Sequence, residues 1–385
     1  MLVNAILPTL KSYVYARLLP ILKSSPPVHV NIPIGKEGQL PIAAICDPMT
    51  WQNLCHEHAS VSLMPRTWRE VLEINPGQKV KFLFCEATWS GIINGCWRGQ
   101  VYRDGRVFYE NRRDLLEILE RCKSEGIPTV FWAKEDPVYF QDAVYDFTDT
   151  ALKFDYILTT AEECIPKYYA MGHQHVYLWP FGFSPGIYYP SEETQVGLRS
   201  SREDVAIFAG SWYIDHPRRC RDLLEIFEVV LDAGIPLRIY DRHRISGRST
   251  RPFPEKYQPY VRDSVPYEAL GDIYRNTEYT INVNTVCDSG TMFSRRVYEA
   301  MACGCIIISN ESLGMRRQFG NNLWYVGESN EFSRFDPEHK EYIRQRNIDI
   351  VFSSHTWNQR MEQLCALVEG NDELIKNVWR VKHEV

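Results

Sequence analysis

Residues Ile281 to Asn310, INVNTVCDSGTMFSRRVYEAMACGCIIISN, carry two hydrophobic periods in one short run, which narrows the folds open to this chain. Tyr279 to Val283 is β-branched and apolar, the pattern of a buried strand, with Asn282 and Asn284 near its end. Cys287-Asp288-Ser289-Gly290 is a polar turn. From about Thr291 the spacing predicts a helix, with Met292, Val297, Ala300 and Met301 on one stripe and Arg295, Arg296 and Glu299 on neighbouring faces. Gly304 ends it, and Cys305 to Ser309 predicts another short buried strand. Strand, polar loop, helix and strand make the repeating unit of an open α/β sheet, whose ligands gather at the carboxyl ends of strands.

The loop's chemistry suits a charged nucleotide. N–H groups at Ser289, Gly290, Thr291 and Met292 would face the helix start, where the helix dipole favours an anion. Arg295 and Arg296 supply guanidinium forks for phosphate oxygens. Glu299 can accept hydrogen bonds from a ribose diol. An ordinary amphipathic helix with a solvated Arg-Arg-x-x-Glu face would show the same spacing.

Arg295 to Cys305, RRVYEAMACGC, resembles the E-A-M-A-x-G segment of GT-B glycosyltransferases, which use nucleotide-sugar donors. With S-x-T-M-F-S-R-R-V before it, the stretch resembles the CgeB-like, spore-maturation-protein-like branch. The resemblance implies that Glu299 binds the donor ribose. Many retaining members carry a second Glu eight residues earlier, where this chain has Thr291, so the stereochemistry does not carry over.

The rest of the chain reads as two α/β domains. Its 385 residues suffice for two cores, and 44% hydrophobic with 24% charged residues is ordinary for a globular protein. A net charge of −6 argues against a nucleic-acid binder, which needs a basic footprint. The 11 cysteines include no CxxC pair and many fall in apolar runs, suiting reduced thiols in the cytoplasm. His56-x-His58 on a helix would splay its imidazoles apart, and Cys303-x-Cys305 is read as core, so no metal site is expected.

Residues 1–30 read as an N-terminal amphipathic arm, with Lys11, Arg17 and Lys23 and no acid. Pro8 and Pro20 interrupt it, which does not suit a spanning helix. It fits either a segment lying on the inner face of a membrane or an arm packed on the next domain. Residues 31–190 form the expected N-terminal Rossmann-like acceptor domain, with Thr50 as the N-cap of a helix running to His58. After strand Val80 to Cys85, the loop Glu86 to Gly99 holds three glycines and two tryptophans, Trp89 and Trp97. These suit a sugar or lipid-sugar cleft, or a loop closed over its own tryptophans. Strand Thr129 to Trp132 leads into Lys134-Glu135-Asp136-Pro137, again at a strand end.

The CgeB-like resemblance extends over E-x-x-W-x-G-x-x-x-G-x-W, I-P-T-V-F-W-x-K-E-D-P and F-D-Y-I-L-T-T, in that order, and spans about residues 40–370. Pro185 to Ser201 reads as a linker. Residues 191–370 are the expected nucleotide-sugar-binding domain and 371–385 a tail. Strand Val205 to Phe208 runs into Gly210-Ser211, where a glycine lets the backbone approach a diphosphate. Of the basic Arg218, Arg219 and Arg221 before the next helix, one is expected at phosphate. Asp241 and Arg242 end a further strand that faces the donor in the resembled family.

The expected architecture is GT-B, two Rossmann-like domains facing across a cleft. The expected function is transfer of a sugar from a nucleotide-diphosphate donor to a glycan, lipid-linked or other hydroxyl acceptor in cell-surface polysaccharide or glycoconjugate synthesis. No G-x-G-x-x-G fingerprint argues for a dehydrogenase, and no Asp-x-Asp pair follows a strand, so neither cofactor nor metal is expected. Glu86, Glu135 and Asp136 are the candidate bases for the acceptor hydroxyl. A non-catalytic scaffold, a polyol-phosphate transferase or a sugar-nucleotide epimerase are the alternatives on the same frame.

Overall fold

Apolar, β-branched runs too short for helices set the framework, and in the computed structural model they form two mainly parallel sheets. The structure describes residues 30–31, 40–73, 80–93, 95–195, 202–327 and 336–378. Almost all of the basic arm, residues 1–29, lies outside them.

The chain divides into two units, one running to Pro180 and resuming at Arg360, the other spanning Phe181–Gln359. The division falls ahead of the Pro185 to Ser201 stretch and inside helix Trp357–Val368. Side-chain contacts tie the returning segment to its unit. Arg360 Nε donates to the Pro180 carbonyl at 3.1 Å, Tyr177 donates to Asp372 at 3.2 Å, and Lys81 pairs with Glu369 at 2.8 Å.

The first sheet consists of β1 (Val30–Asn31), β2 (Ile42–Ile45), β3 (Ser60–Ser62), β4 (Leu83–Glu86), β5 (Thr129–Ala133), β6 (Tyr156–Thr159) and β7 (Val176–Leu178). Their order is β1-β3-β2-β4-β5-β6-β7, and only β1 is antiparallel to its neighbour. Building outward from β2, the chain first adds β3 on one side and then β4 on the other. The switch point therefore lies at the carboxyl ends of β2 and β4.

The second sheet has β8 (Glu203–Gly210), β9 (Leu237–Asp241), β10 (Val261–Arg262), β11 (Thr277–Asn282), β12 (Ile306–Ser309) and β13 (Trp324–Tyr325), all parallel, in the order β10-β9-β8-β11-β12-β13. Its switch point lies between β8 and β11. Phe208, Ile239, Ile281 and Ile308 from four of these strands are fully buried together with Leu223, Ile226 and Phe227 of helix Pro217–Asp232. That helix is amphipathic, and its apolar stripe explains why it packs on the sheet.

Two helix boundaries differ from the sequence reading. The first helix spans Pro48–Glu57 with Asp47 at its N-cap, because Pro48 is suited to the opening turn. Thr50 is thus inside the helix. The helix expected from Thr291 starts only at Arg296 and ends at Ala302. Ser289 Oγ accepts from Met292 N at 3.0 Å and Thr291 N at 3.4 Å, and Ser294 N donates to Asn284 Oδ1 at 3.1 Å. These side-chain bonds hold residues 291–294 in an irregular loop and away from the helical ladder.

Candidate functional site

At the first switch point the strand ends hold an ionic cluster. Asp47 follows β2, Glu86 ends β4 and Lys134 follows β5. Lys134 Nζ lies 3.0 Å from Asp47 Oδ2 and 3.1 Å from Glu86 Oε1. Glu86 is fully buried, and it also accepts from Asp47 N and Thr50 Oγ1, each at 2.5 Å. Asp47 accepts from the backbone of Ser90 and Gly91, both at 3.0 Å, and from the Thr88 hydroxyl. Burial alone would raise the Asp47 pKa, but Lys134 and these hydrogen bonds hold it well below the usual carboxylate range. The carboxylate of Asp47 thus occupies the place among backbone N–H groups that a bound anion takes at other switch points.

The three carboxylates grouped by the sequence have different surroundings. Glu86 is an internal ligand of Lys134. Asp136 is buried and accepts from Thr159 Oγ1 at 2.7 Å and the Tyr168 hydroxyl at 3.1 Å, and burial pushes its pKa up to about 7. Glu135 keeps a quarter of its side chain exposed, lies 3.9 Å from Lys134, and has its pKa raised by burial against the pull of that lysine. Trp97 is buried, its indole donating to the Leu63 carbonyl at 2.8 Å, so this half of the glycine-rich loop closes over its own tryptophan. Trp89 is half-buried among Tyr102, Tyr139, Tyr145 and Phe147, with centroids 5.0–5.8 Å away.

The second switch point is cationic. Gly210 ends β8, and a Cβ there would meet Phe208 Cζ at 2.7 Å and an Arg296 terminal nitrogen at 3.0 Å. Arg296 crosses this glycine, donates to the Ala209 carbonyl and lies over the Phe208 ring, with Cζ 5.0 Å from the centroid. Arg219, from the first turn of helix Pro217–Asp232, is buried and donates to the Ser211 carbonyl at 3.2 Å. Burial, and next the charge of Arg296, lower its pKa to about 10. Neither arginine pairs with a carboxylate among the described residues. Ser211 Oγ and Asp241 Oδ2 are buried without a hydrogen-bond partner. Asp241 Oδ1 accepts from His243 N at 2.8 Å, and the Arg242 side chain is exposed.

Glu299 sits in the first turn of the short helix, buried, with Arg295 Nε 2.6 Å from its Oε1. Ser289, Gly290 and Thr291 are buried inside the preceding loop, and the N–H groups of Thr291 and Met292 are taken by Ser289. The free N–H groups expected there are therefore absent at Thr291 and Met292, and the positive charge comes from side chains. Asn284 N donates to Asn310 Oδ1 at 2.8 Å and Asn310 Nδ2 to Asp222 at 2.9 Å, which ties the loop to the end of β12 and to the long helix. Arg218 turns the other way, lining a cavity of about 210 Å³ with Asp222, Glu225 and Glu311, whose carboxylates do not suit a diphosphate. Among the described residues no group of three His, Cys, Asp or Glu is placed to hold a metal ion.

Asp47 and Tyr267, whose hydroxyl also reaches Glu299, were not singled out by the sequence, and Lys134 was read only as part of the charged run after its strand. Asp47 and Lys134 each stand just past an apolar strand, and that position was the available signal. Nothing local marks Tyr267.

Residues 228–366 match the model of a family described as glycosyl transferase-like. No curated protein matches the chain. Among solved structures, an α-glucosyltransferase in complex with UDP and a 13-mer DNA is similar at a TM-score of 0.50 and 10% identity, over 86% of this chain and 100% of that one. Sucrose-phosphate synthase from Thermosynechococcus elongatus is similar at a TM-score of 0.48 and 15% identity, over 81% and 83%. The chain has the GT-B fold of glycosyltransferases, and most of its second unit lies within the glycosyl transferase-like match.

Proposed function

We propose that this chain transfers a glycosyl group from a nucleoside diphosphate sugar to a hydroxyl acceptor. The observation that carries the reading is the arginine pair at the second switch point. Arg219 is buried and Arg296 half-buried, neither meets a carboxylate among the described residues, and Ser211 beside them holds an unpartnered hydroxyl. Desolvated cations with no counter-charge are costly, so a doubly charged anion is the ligand such a site stabilises most. Gly210 lets Arg296 cross the strand end there, and Glu299 is our assignment for the ribose. The UDP bound by the α-glucosyltransferase of like fold is consistent with this class of donor.

In the reaction, the bond between the sugar's anomeric carbon and the diphosphate oxygen breaks, and the diphosphate leaves with the electron pair. Arg219 and Arg296 offset the charge that develops on it. The acceptor oxygen bonds to the anomeric carbon and its proton passes to a carboxylate. Glu135 is our choice for that base, since it is partly exposed and burial raises its pKa, which makes it a stronger base. Glu86 and Asp136 hold the strand ends around it. A CgeB-like lineage, a cytoplasmic location, and a lipid-linked acceptor met at the membrane surface by residues 1–30, complete the proposal.

Calorimetry of UDP against uridine tests the donor site. Arg219→Lys and Arg296→Lys should each weaken UDP by roughly tenfold or more while leaving uridine unchanged, because an ammonium cannot reproduce the guanidinium fork. Equal UDP affinity in both lysine variants and the wild type would remove the diphosphate from this site. Release of free sugar or glycosylated product from UDP-, GDP- or dTDP-sugars then reads the transfer itself.

A further inference from the structure

Tyr267 opens a short turn, Tyr267–Ala269, immediately after Pro266 and well away in sequence from the helix that carries Glu299. Its hydroxyl donates to Glu299 Oε1 at 2.6 Å, and Arg295 Nε meets the same oxygen at 2.6 Å. The Arg295 guanidinium carbon lies 5.3 Å from the Tyr267 ring centroid, within cation–π range. The tyrosine is braced in turn. Its ring packs edge-on against the buried Tyr188 at 5.5 Å, and the Tyr188 hydroxyl donates to the Tyr267 carbonyl at 3.3 Å.

A glutamate carboxylate rotates freely about its last bond and offers about four lone-pair directions over its two oxygens. The hydrogen bond from Tyr267 and the charge contact with Arg295, both on one oxygen, remove that freedom. Both contacts fall on Oε1. We propose that Tyr267 is a positioning residue that fixes the plane of the Glu299 carboxylate, so that Oε2 meets the 2′- and 3′-hydroxyls of a nucleoside diphosphate and the site distinguishes a ribose from a deoxygenated sugar. This rests on the assignment of Glu299 to the donor ribose. The hydroxyl of Tyr267 is uncharged, so removing it changes the orientation of the carboxylate while the Arg295–Glu299 charges stay.

The test is the affinity ratio of UDP to 2′,3′-dideoxy-UDP, measured by calorimetry in wild type, Tyr267→Phe and Glu299→Gln. The ratio is read within each protein, so a lower folded fraction cancels from it. Wild type should prefer UDP, and Tyr267→Phe should lower that preference by about five- to tenfold with the dideoxy affinity unchanged, the size expected of one hydrogen bond to a charged group. Tyr188→Phe, which releases the Tyr267 carbonyl, should move the ratio the same way by less, and it serves if Tyr267→Phe does not fold. A preference that survives intact in Tyr267→Phe but disappears in Glu299→Gln overturns the role of the tyrosine alone. Equal affinities in the wild type overturn the ribose assignment, and the inference falls with it.

Discussion

The ammonium of Lys134 lies 3.0 Å from the carboxylate of Asp47, across the end of β4, the strand that separates theirs. Glu86, at that strand's end, meets the same ammonium and is fully buried. Three successive parallel strands are therefore joined at their carboxyl ends by one cation between two carboxylates. The arrangement explains why the first sheet can carry charge where a Rossmann-like sheet usually opens to a ligand.

Asp47→Ala tests that arrangement. It removes the anion that accepts from Ser90, Gly91, Thr88 and Lys134, so several donors lose their partner at once. Breaking a buried charge pair costs about 3–5 kcal/mol, and urea unfolding should show a loss of that order. Added acetate should restore part of it by entering the vacated nest, while the same ionic strength of a bulky anion should not. A variant as stable as wild type would show that the N–H groups are satisfied by water.

The buried Asp136 sets a pH dependence of its own. Its pKa of about 7 lies above the unfolded value, because burial disfavours the charged form. Between those two values the folded state holds more protons than the unfolded one, so the neutral acid's contribution is complete at low pH and is lost as pH rises through about 7. The limiting slope for one group is about 1.4 kcal/mol per pH unit. Asp136→Asn keeps a neutral partner for Thr159 and Tyr168 and removes the titration. The difference in unfolding free energy between variant and wild type should shift in the variant's favour from about pH 5 to about pH 8, conditions that bracket the Asp136 pKa. A difference that stays flat would place the folded-state Asp136 pKa at or below the lower end of that range.

The fold was legible because its strands are short, buried and punctuated, and parallel order follows from alternation with helices. The loop after β11 was less so. Ser289 reads locally as part of a helix start, but its hydroxyl captures the N–H groups that a helix would have used. Arg219 and Tyr267 show a second limit. Arg219 is one of three closely spaced arginines, and only its place on the helix turns it inward toward Ser211. Tyr267 reaches Glu299 through the turn that follows β10, a relation that no local spacing encodes.

Residues 1–30 carry three basic and no acidic side chains among mostly apolar ones. No helix among the described residues is long and apolar enough to cross a membrane. If the arm lies on an anionic surface, each basic residue adds about 1 kcal/mol of binding, which salt screens. The full-length protein should co-sediment with phosphatidylserine vesicles at low salt and release at high salt. Removing the arm should abolish binding without changing the melt. A truncated protein that loses its cooperative melt would place the arm in the core instead.

Gly210 joins the fold to the candidate donor site, and Gly210→Ala is the sharpest probe of that link. The added methyl group would sit 2.7 Å from Phe208 Cζ and 3.0 Å from a terminal nitrogen of Arg296. Phe208 is fully buried against Phe227 and Phe253, with centroids 5.8 and 6.2 Å away, so its ring has little room to move. The 2.7 Å contact is relieved only by a shift of that ring, and half-buried Arg296, seated over it on a flexible stem, is displaced with it. Displacing it breaks its bond to the Ala209 carbonyl and its seat over the Phe208 ring. Overpacking of this kind costs about 1–3 kcal/mol in stability. The larger effect should fall on UDP, whose affinity should drop by roughly the tenfold expected for Arg296→Lys, and the two changes combined should cost little more than either alone. Additive losses in that double-mutant cycle, measured by calorimetry, would mean that Gly210 acts on the ligand through its own backbone and not through Arg296.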